Sequence, residues 1–178
     1  MTDYAVHSPS MEAAPEQRCR EWYEAHSQAI YGYLRFHLPS AEEAEDVTAE
    51  VFLRAVRAAG RFDPSRGAPK AWLLRIARNA LHDHCRRERR RRHVPMDGLV
   101  GLRSDVPSAE ERFLWRETVT RVLAAVAELG TGAREIIGLR YGSGLDTAET
   151  AALLGVREAV VRTRLWRALG RLRRVMET

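Results

Sequence analysis

Lysine is nearly missing from this chain. Of its 29 basic residues only Lys70 is a lysine and all the others are arginine, so positive charge is carried by the planar, permanently protonated guanidinium. Cysteine is scarce too. Cys19 and Cys85 stand far apart and form no CxxC pair, which excludes a disulfide framework and a four-cysteine zinc site and leaves them as free thiols. Aromatic residues make up 7% of the chain, and no run approaches the roughly 18 consecutive apolar residues of a membrane span. Met1 to Ser10 places Asp3, His7 and Pro9 where an export signal would have positive charge and then an apolar stretch, so a soluble, cytoplasmic protein is expected. No Ser/His/Asp arrangement, glycine-rich phosphate loop or HExxH pattern appears, so neither an enzyme nor a cofactor is expected. His82-Asp83-His84-Cys85 invites a metal reading, but neighbouring residues on a helix point in different directions. Only His82 and Cys85, aided by Cys19 or His26, could share an ion, and the set predicts no metal site.

What is present is a chain of 178 residues, 45% hydrophobic and 30% charged, enough for one mid-sized domain or two small ones. The net charge of +5 is concentrated. Arg86 to Arg92 is interrupted only by Glu88, and Arg157 to Arg174 holds seven arginines against Glu158 alone. Two separated arginine clusters point to a polyanionic partner.

The apolar periodicity is helical throughout and nowhere alternates as a strand would, so the fold is expected to be all-α. Residues 1–15 lack periodicity and read as a disordered tail. Trp22, Ala25, Ala29, Ile30, Tyr33 and Leu34 mark a first helix over Glu16 to His37, broken at Leu38-Pro39. Ser40, with Glu43 three residues on, opens a second helix with the apolar face Ala44, Val47, Val51, Phe52, Ala55 and Val56. Gly60 ends it, and a turn-rich segment from Phe62 to Pro69 leads to a third helix with the stripe Trp72, Leu73, Ile76, Ala77, Ala80 and Leu81. From His93 to Pro107 the pattern stops, as in a flexible linker. A second unit follows. Ser108 and Glu111 open a helix to Leu129, Ala133 to Tyr141 forms the next, Asp146 and Glu149 cap a short one, and Gly155 turns the chain into a last helix carrying Val161, Leu165, Leu169 and Leu172.

Two helices joined by a tight glycine turn form a helix-turn-helix, whose second helix fits the DNA major groove. If its apolar residues face the support helix, Arg157, Glu158, Arg162, Arg164 and Trp166 are left to meet DNA, and arginine suits both guanine readout and phosphate contact.

At these residues a family resemblance becomes visible. Leu129 to Tyr141, Asp146 to Val156 and Val161 to Ala168 resemble region 4 of the extracytoplasmic-function (ECF) sigma factors of bacterial RNA polymerase. Ala44 to Ala55 resembles the core-polymerase helix of region 2, and Ala71 to Asn79 its promoter-opening helix. The resemblance covers about Glu16 to Arg174, with no room for a region 3. Arg157, Val160 and Trp166 depart from the residues common in the family, so a promoter preference is not carried over; Ala49, Gly130 and Thr150 depart too, without removing the fold.

The resemblance implies region 2 over 16–92, a linker over 93–107 and region 4 over 108–178. Asp46, Glu50, Arg54 and Arg57 would meet the clamp coiled coil of the polymerase largest subunit, and the flap would be a further docking point. Phe62, Asp63, Lys70, Arg75, Arg78, Asn79, His82 and Arg86 would capture the non-template strand of the minus ten element. Arg157, Glu158, Arg162, Thr163, Arg164, Trp166 and Arg167 would read the minus thirty-five element. An anti-sigma factor is an expected partner beside core polymerase and promoter DNA. A DNA-binding regulator acting alone, and an inactive sigma-like protein that titrates an anti-sigma factor, are the competing readings. With two units of limited core, motion about the linker is expected in the free protein.

Overall fold

The computed structural model describes residues 15–91 and 109–177, and among these every regular element is helical. The first unit holds α1 (Pro15–Arg35), α2 (Ala41–Ala58) and α3 (Pro69–Arg91). The second holds α4 (Ala109–Ala127), α5 (Thr131–Ile137), α6 (Thr147–Leu154) and α7 (Glu158–Met176). The expected tail, the linker and the Ser108 cap lie outside the described residues, apart from Pro15, which begins α1.

The helix boundaries follow local chemistry. Ser40 accepts the Glu43 N–H at 3.0 Å and so satisfies one of the amide groups orphaned at the start of α2. At α6 both halves of a capping box form: Glu149 N–H donates to Asp146 Oδ1 and Asp146 N–H to Glu149 Oε2, each at 2.7 Å. Gly155 closes α6 at φ 66°, the left-handed region where a side chain would be strained, and this sets the turn into α7. Arg35, itself buried, turns back to donate to the Leu38 carbonyl at 3.2 Å and so ties off the end of α1.

Two boundaries differ from the sequence reading. Gly60 does not stop the chain sharply, because a 3-10 turn continues over Ala59–Arg61. The expected helix from Ala133 to Tyr141 is α-helical only to Ile137 and then widens into a π-turn over Gly138–Gly142. There the Ser143 N–H reaches the Gly138 carbonyl at 2.9 Å, the Ser143 hydroxyl donates to the Leu139 carbonyl at 2.7 Å, and Arg140 donates to the Leu145 carbonyl.

Val56, assigned to the apolar face of α2, is 46% exposed, while Val47, Val51 and Ala55 are buried as the period requires. The first core packs Trp22, Ile30, Tyr33 and Leu34 against Val47, Val51, Leu73, Leu74 and Ala77. Leu139, Leu145 and Leu153 of the second unit belong to that same cluster, and Phe36, just beyond the end of α1, packs in turn on Val126, Leu129, Ile137 and Ala168. Burying a leucine contributes about 1.5 to 3 kcal/mol. In this structure the two units are therefore docked through shared apolar contacts.

Candidate nucleic-acid and polymerase interfaces

Three helix faces carry the residues singled out in the sequence. On α2, Asp46 and Arg57 are exposed as expected. Glu50 and Arg54 are not loose surface charges. Glu50 binds Arg54 through Oε1 and Arg87 through Oε2 at 2.8 Å, and Arg54 reaches Asp83 Oδ2 at 2.9 Å. This chain of alternating charge ties α2 to α3. The Arg87 guanidinium, helped by Arg54 and opposed by desolvation, holds the Glu50 carboxyl below its ordinary pKa. His84 and Glu43, 2.9 Å apart, add a second link between the helices. Leu53, at 59% exposure, shares the outer face with Asp46, Val56 and Arg57, an apolar element that charge patterning alone did not select. Its signal was a leucine off the apolar stripe.

The segment before α3 is organised by aromatics. Phe62 is half-buried, with its ring 5.0 Å from Trp22 and 5.4 Å from Trp72, edge to face in both cases. Asp63 accepts from the Ser65 N–H at 2.9 Å and the Ser65 hydroxyl at 2.6 Å, shaping the 3-10 turn Pro64–Arg66. Those same bonds lower the Asp63 pKa. Along α3, Arg75, Asn79, His82 and Arg86 fall at steps of four, three and four and are all exposed, so the structure brings them onto one stripe. Arg86 makes a loose 3.7 Å pair with Asp83. Lys70 and Arg78 lie apart from the stripe, half-buried beside the second unit: a Cβ built on Gly144 would be 3.9 Å from Lys70 Nζ, and Arg78 Nε is 2.7 Å from Glu135 Oε1.

Sequence reasoning did not select Glu135. It accepts from the Tyr33 hydroxyl at 2.9 Å and faces His37 Nε2 at 3.4 Å, besides its pair with Arg78. Burial raises its pKa, but the contacts with His37, Arg78 and Tyr33 outweigh that effect and leave it below the ordinary value. Burial and the Glu135 carboxylate push the Tyr33 phenol well above its usual range, so it stays a hydroxyl donor.

On α7, only Val161 and Ala168 are fully buried. Arg157, Glu158, Arg162, Thr163, Arg164, Trp166 and Arg167 are all exposed, and Trp166 is 77% exposed. Arg157 occupies the N-cap without a capping side-chain bond. Glu158 pairs with Arg162 at 3.1 Å, and the Thr163 hydroxyl donates back to the Ala159 carbonyl at 2.8 Å. Arg162 and Arg164 do not share a face. Arg164 lines a groove with Gly132, Ala133, Arg167 and Arg171, whereas Trp166 borders an adjoining one with Arg167 and Arg171. Among the described residues no three or more His, Cys, Asp or Glu side chains form a metal-binding group, and no helix is long and apolar enough to cross a membrane.

Residues 22–91 match the Sigma-70 region 2 family and residues 120–172 the Sigma-70 region 4 family. The chain is 33% identical over 154 residues to the ECF RNA polymerase sigma factor BldN of Streptomyces coelicolor, covering 86% of this chain and 58% of that protein, so it spans little more than half of that relative's length. It is 30% identical over 168 residues to the ECF RNA polymerase sigma factor SigC of Mycobacterium tuberculosis, covering 93% of this chain and 88% of that one. In fold it is similar to the sigma factor RpoE of Bartonella quintana, solved in complex with the anti-sigma factor NepR, at a TM-score of 0.72 and 20% identity over 91% of this chain and 98% of that chain. With both region families matched in order and a relative covered over nearly its whole length, the chain belongs to the extracytoplasmic-function sigma factors of bacterial RNA polymerase.

Proposed function

We propose that this sigma factor binds core RNA polymerase and directs it to promoters by engaging the minus thirty-five element with α7 and the opened minus ten element with α3. The single observation that carries this reading is the pair of exposed arginine-bearing helix faces, one in each unit, combined with a third exposed face on α2 that carries no arginine cluster. A protein that only binds DNA has no use for the α2 face. There Asp46 and Arg57 surround the exposed Leu53 and Val56, the mixture of apolar anchor and charged rim that a protein partner requires. The clamp coiled coil of the largest subunit is assigned to that face, with Glu50 and Arg54 supporting it from their network, and the flap is assigned to the second unit.

On α3, Arg75, Asn79, His82 and Arg86 would track a single strand, with Lys70 and Arg78 joining from the edge and Asp63 shaping the loop. Phe62, held between two tryptophans, presents only part of its ring to a flipped base. On α7, Arg157, Glu158, Arg162, Thr163 and Trp166 would meet base edges, while Arg164 and Arg167 would grip phosphate. The units are taken as 16–92 and 108–178 with 93–107 between them and 1–15 as a tail. The protein would act in the cytoplasm without catalytic chemistry of its own, under the control of an anti-sigma factor, as the RpoE neighbour is bound by one.

Transcription in vitro with purified core polymerase on genomic DNA tests this reading. Discrete start sites that depend on the protein are expected. DNA binding without association with core enzyme would favour a stand-alone regulator, and association with an anti-sigma factor without transcription would favour a titrating decoy.

A further inference from the structure

Arg54 joins two helices with different tasks in the proposed function, α2 toward the polymerase and α3 toward the single strand. Its Nε and Nη2 donate to Glu50 Oε1 on its own helix, and its Nη1 donates to Asp83 Oδ2 on α3 at 2.9 Å. The two acids do not depend on it equally. Glu50 has a second close partner in Arg87, 2.8 Å from Oε2. Among the described residues the other ion pair of Asp83 is with Arg86, whose Nη2 is 3.7 Å from Oδ1, too long for a hydrogen bond.

Asp83 stands at the edge of the α3 stripe. It is half-exposed, four residues after Asn79 and three before Arg86, the spacings at which side chains on a helix are neighbours. The hydrogen bond from Arg54 holds its carboxyl below the ordinary pKa, so at neutral pH it is a full negative charge beside the path of a phosphate backbone. Left uncovered, that charge would weaken strand binding in two ways: it would repel phosphate, and it would draw Arg86 onto itself and away from the DNA. Arg54 opposes both by satisfying the carboxylate from the α2 side.

We propose that Arg54 is a positioning residue for promoter capture: reaching across from α2, it neutralises Asp83 at the edge of the strand-binding stripe and leaves Arg86 available to DNA phosphate. The proposal rests on the reading of that stripe as the single-strand contact, and it gives Arg54 a task in DNA binding that no contact with the polymerase requires.

The test uses the full-length protein in holoenzyme, with core polymerase saturated by every variant, and a promoter fragment carrying one of its own start sites and premelted by mismatches across the minus ten region. Arg54→Gln is expected to weaken binding of this fragment by about fivefold, a margin that narrows as salt rises. Asp83→Asn keeps the shape and an acceptor oxygen but removes the charge, and should bind at least as tightly as the wild type. Combining Arg54→Gln with Asp83→Asn should then restore the wild-type affinity. An ion pair that only joined α2 to α3 would behave otherwise, since either single substitution would weaken binding alike and the double variant would not recover. That pattern, or an Arg54→Gln loss that Asp83→Asn leaves in place, overturns the proposal. Arg75→Ala combined with Arg86→Ala tests the underlying reading separately. If this pair leaves binding unchanged, the stripe is not the strand contact and both readings fall; if it weakens binding while Arg54→Gln does not, only the role of Arg54 fails.

Discussion

The two arginine-rich helices α3 and α7 look alike in sequence and sit differently in the molecule. α3 is anchored on the first core through Leu73, Leu74, Ala77 and Ala80, and two of its arginines are paired with acids of other elements, Arg87 with Glu50 and Arg78 with Glu135. α7 is held through Val161 and Ala168, Arg162 and Arg173 pair with acids four residues away, Glu158 and Glu177, and Arg157, Arg164, Arg167 and Arg171 have no acidic partner among the described residues. Charge on α3 is thus divided between pairs that tie elements together and an exposed stripe, while on α7 four of the seven arginines from Arg157 to Arg174 are exposed without an acidic partner among the described residues. Counting arginines cannot separate these uses; the acids that face them can.

The largest expected effect tests how α3 is anchored. Trp22→Ala, at 2% exposure and in edge contact with Phe62 and Trp72, should lower stability by about 3 to 5 kcal/mol in urea unfolding. A loss below about 1 kcal/mol would mean that the aromatic cluster does not hold the loop before α3.

Next comes the outer face of α2. Leu53→Arg places charge on an exposed site, so folding should be intact while affinity for core polymerase falls by about 2 kcal/mol, measured by competition for core enzyme. Unchanged affinity would remove Leu53 from the interface.

On α7, Arg162→Ala should cost about 1 to 3 kcal/mol on the preferred promoter and relax its sequence preference, whereas Arg164→Ala should weaken all duplexes alike and flatten the salt dependence. Equal behaviour of the two variants would contradict the separation of their faces.

The smallest effect sharpens the contrast between the helices. Glu50→Gln should lower stability by about 0.2 to 1 kcal/mol, because its partners are partly solvated. Glu50 has a folded pKa below its ordinary value, so its contribution is complete above the unfolded pKa and is lost as pH falls through the folded one. The difference between wild type and variant should therefore be present at neutral pH and disappear in acid. A difference that does not change with pH would place its origin outside the carboxylate.

Much of this architecture was legible because its causes are local. Ser40 before Glu43, Asp146 before Glu149, and Gly155 after Leu154 are decided within a few residues, and most of the apolar stripes of α1, α3 and α7 follow from period, although Ala25 is exposed and Leu74 and Ala168, outside the stripes read from the sequence, are buried. The α3 stripe of Arg75, Asn79, His82 and Arg86 was readable for the same reason. What escaped depends on contacts distant in sequence. Glu135 meets Tyr33 across 102 positions and Arg54 meets Asp83 across 29, and no local pattern reports such pairs. Phe62 was legible as an aromatic in a turn, but its place between Trp22 and Trp72 was not. The docking of the units was obscured by a different cause: Leu139 and Leu145 look like core residues of their own unit, and only the three-dimensional arrangement places them in the core of the other.

The most direct test is site-specific crosslinking in the complex with core polymerase on a promoter, with a photoreactive side chain at His82 on α3 or Thr163 on α7. The account predicts crosslinks from His82 to the non-template strand of the melted minus ten region and from Thr163 to duplex DNA upstream, at two separated positions of one promoter. Crosslinks from both sites to the same element, or from His82 to duplex DNA alone, would contradict it.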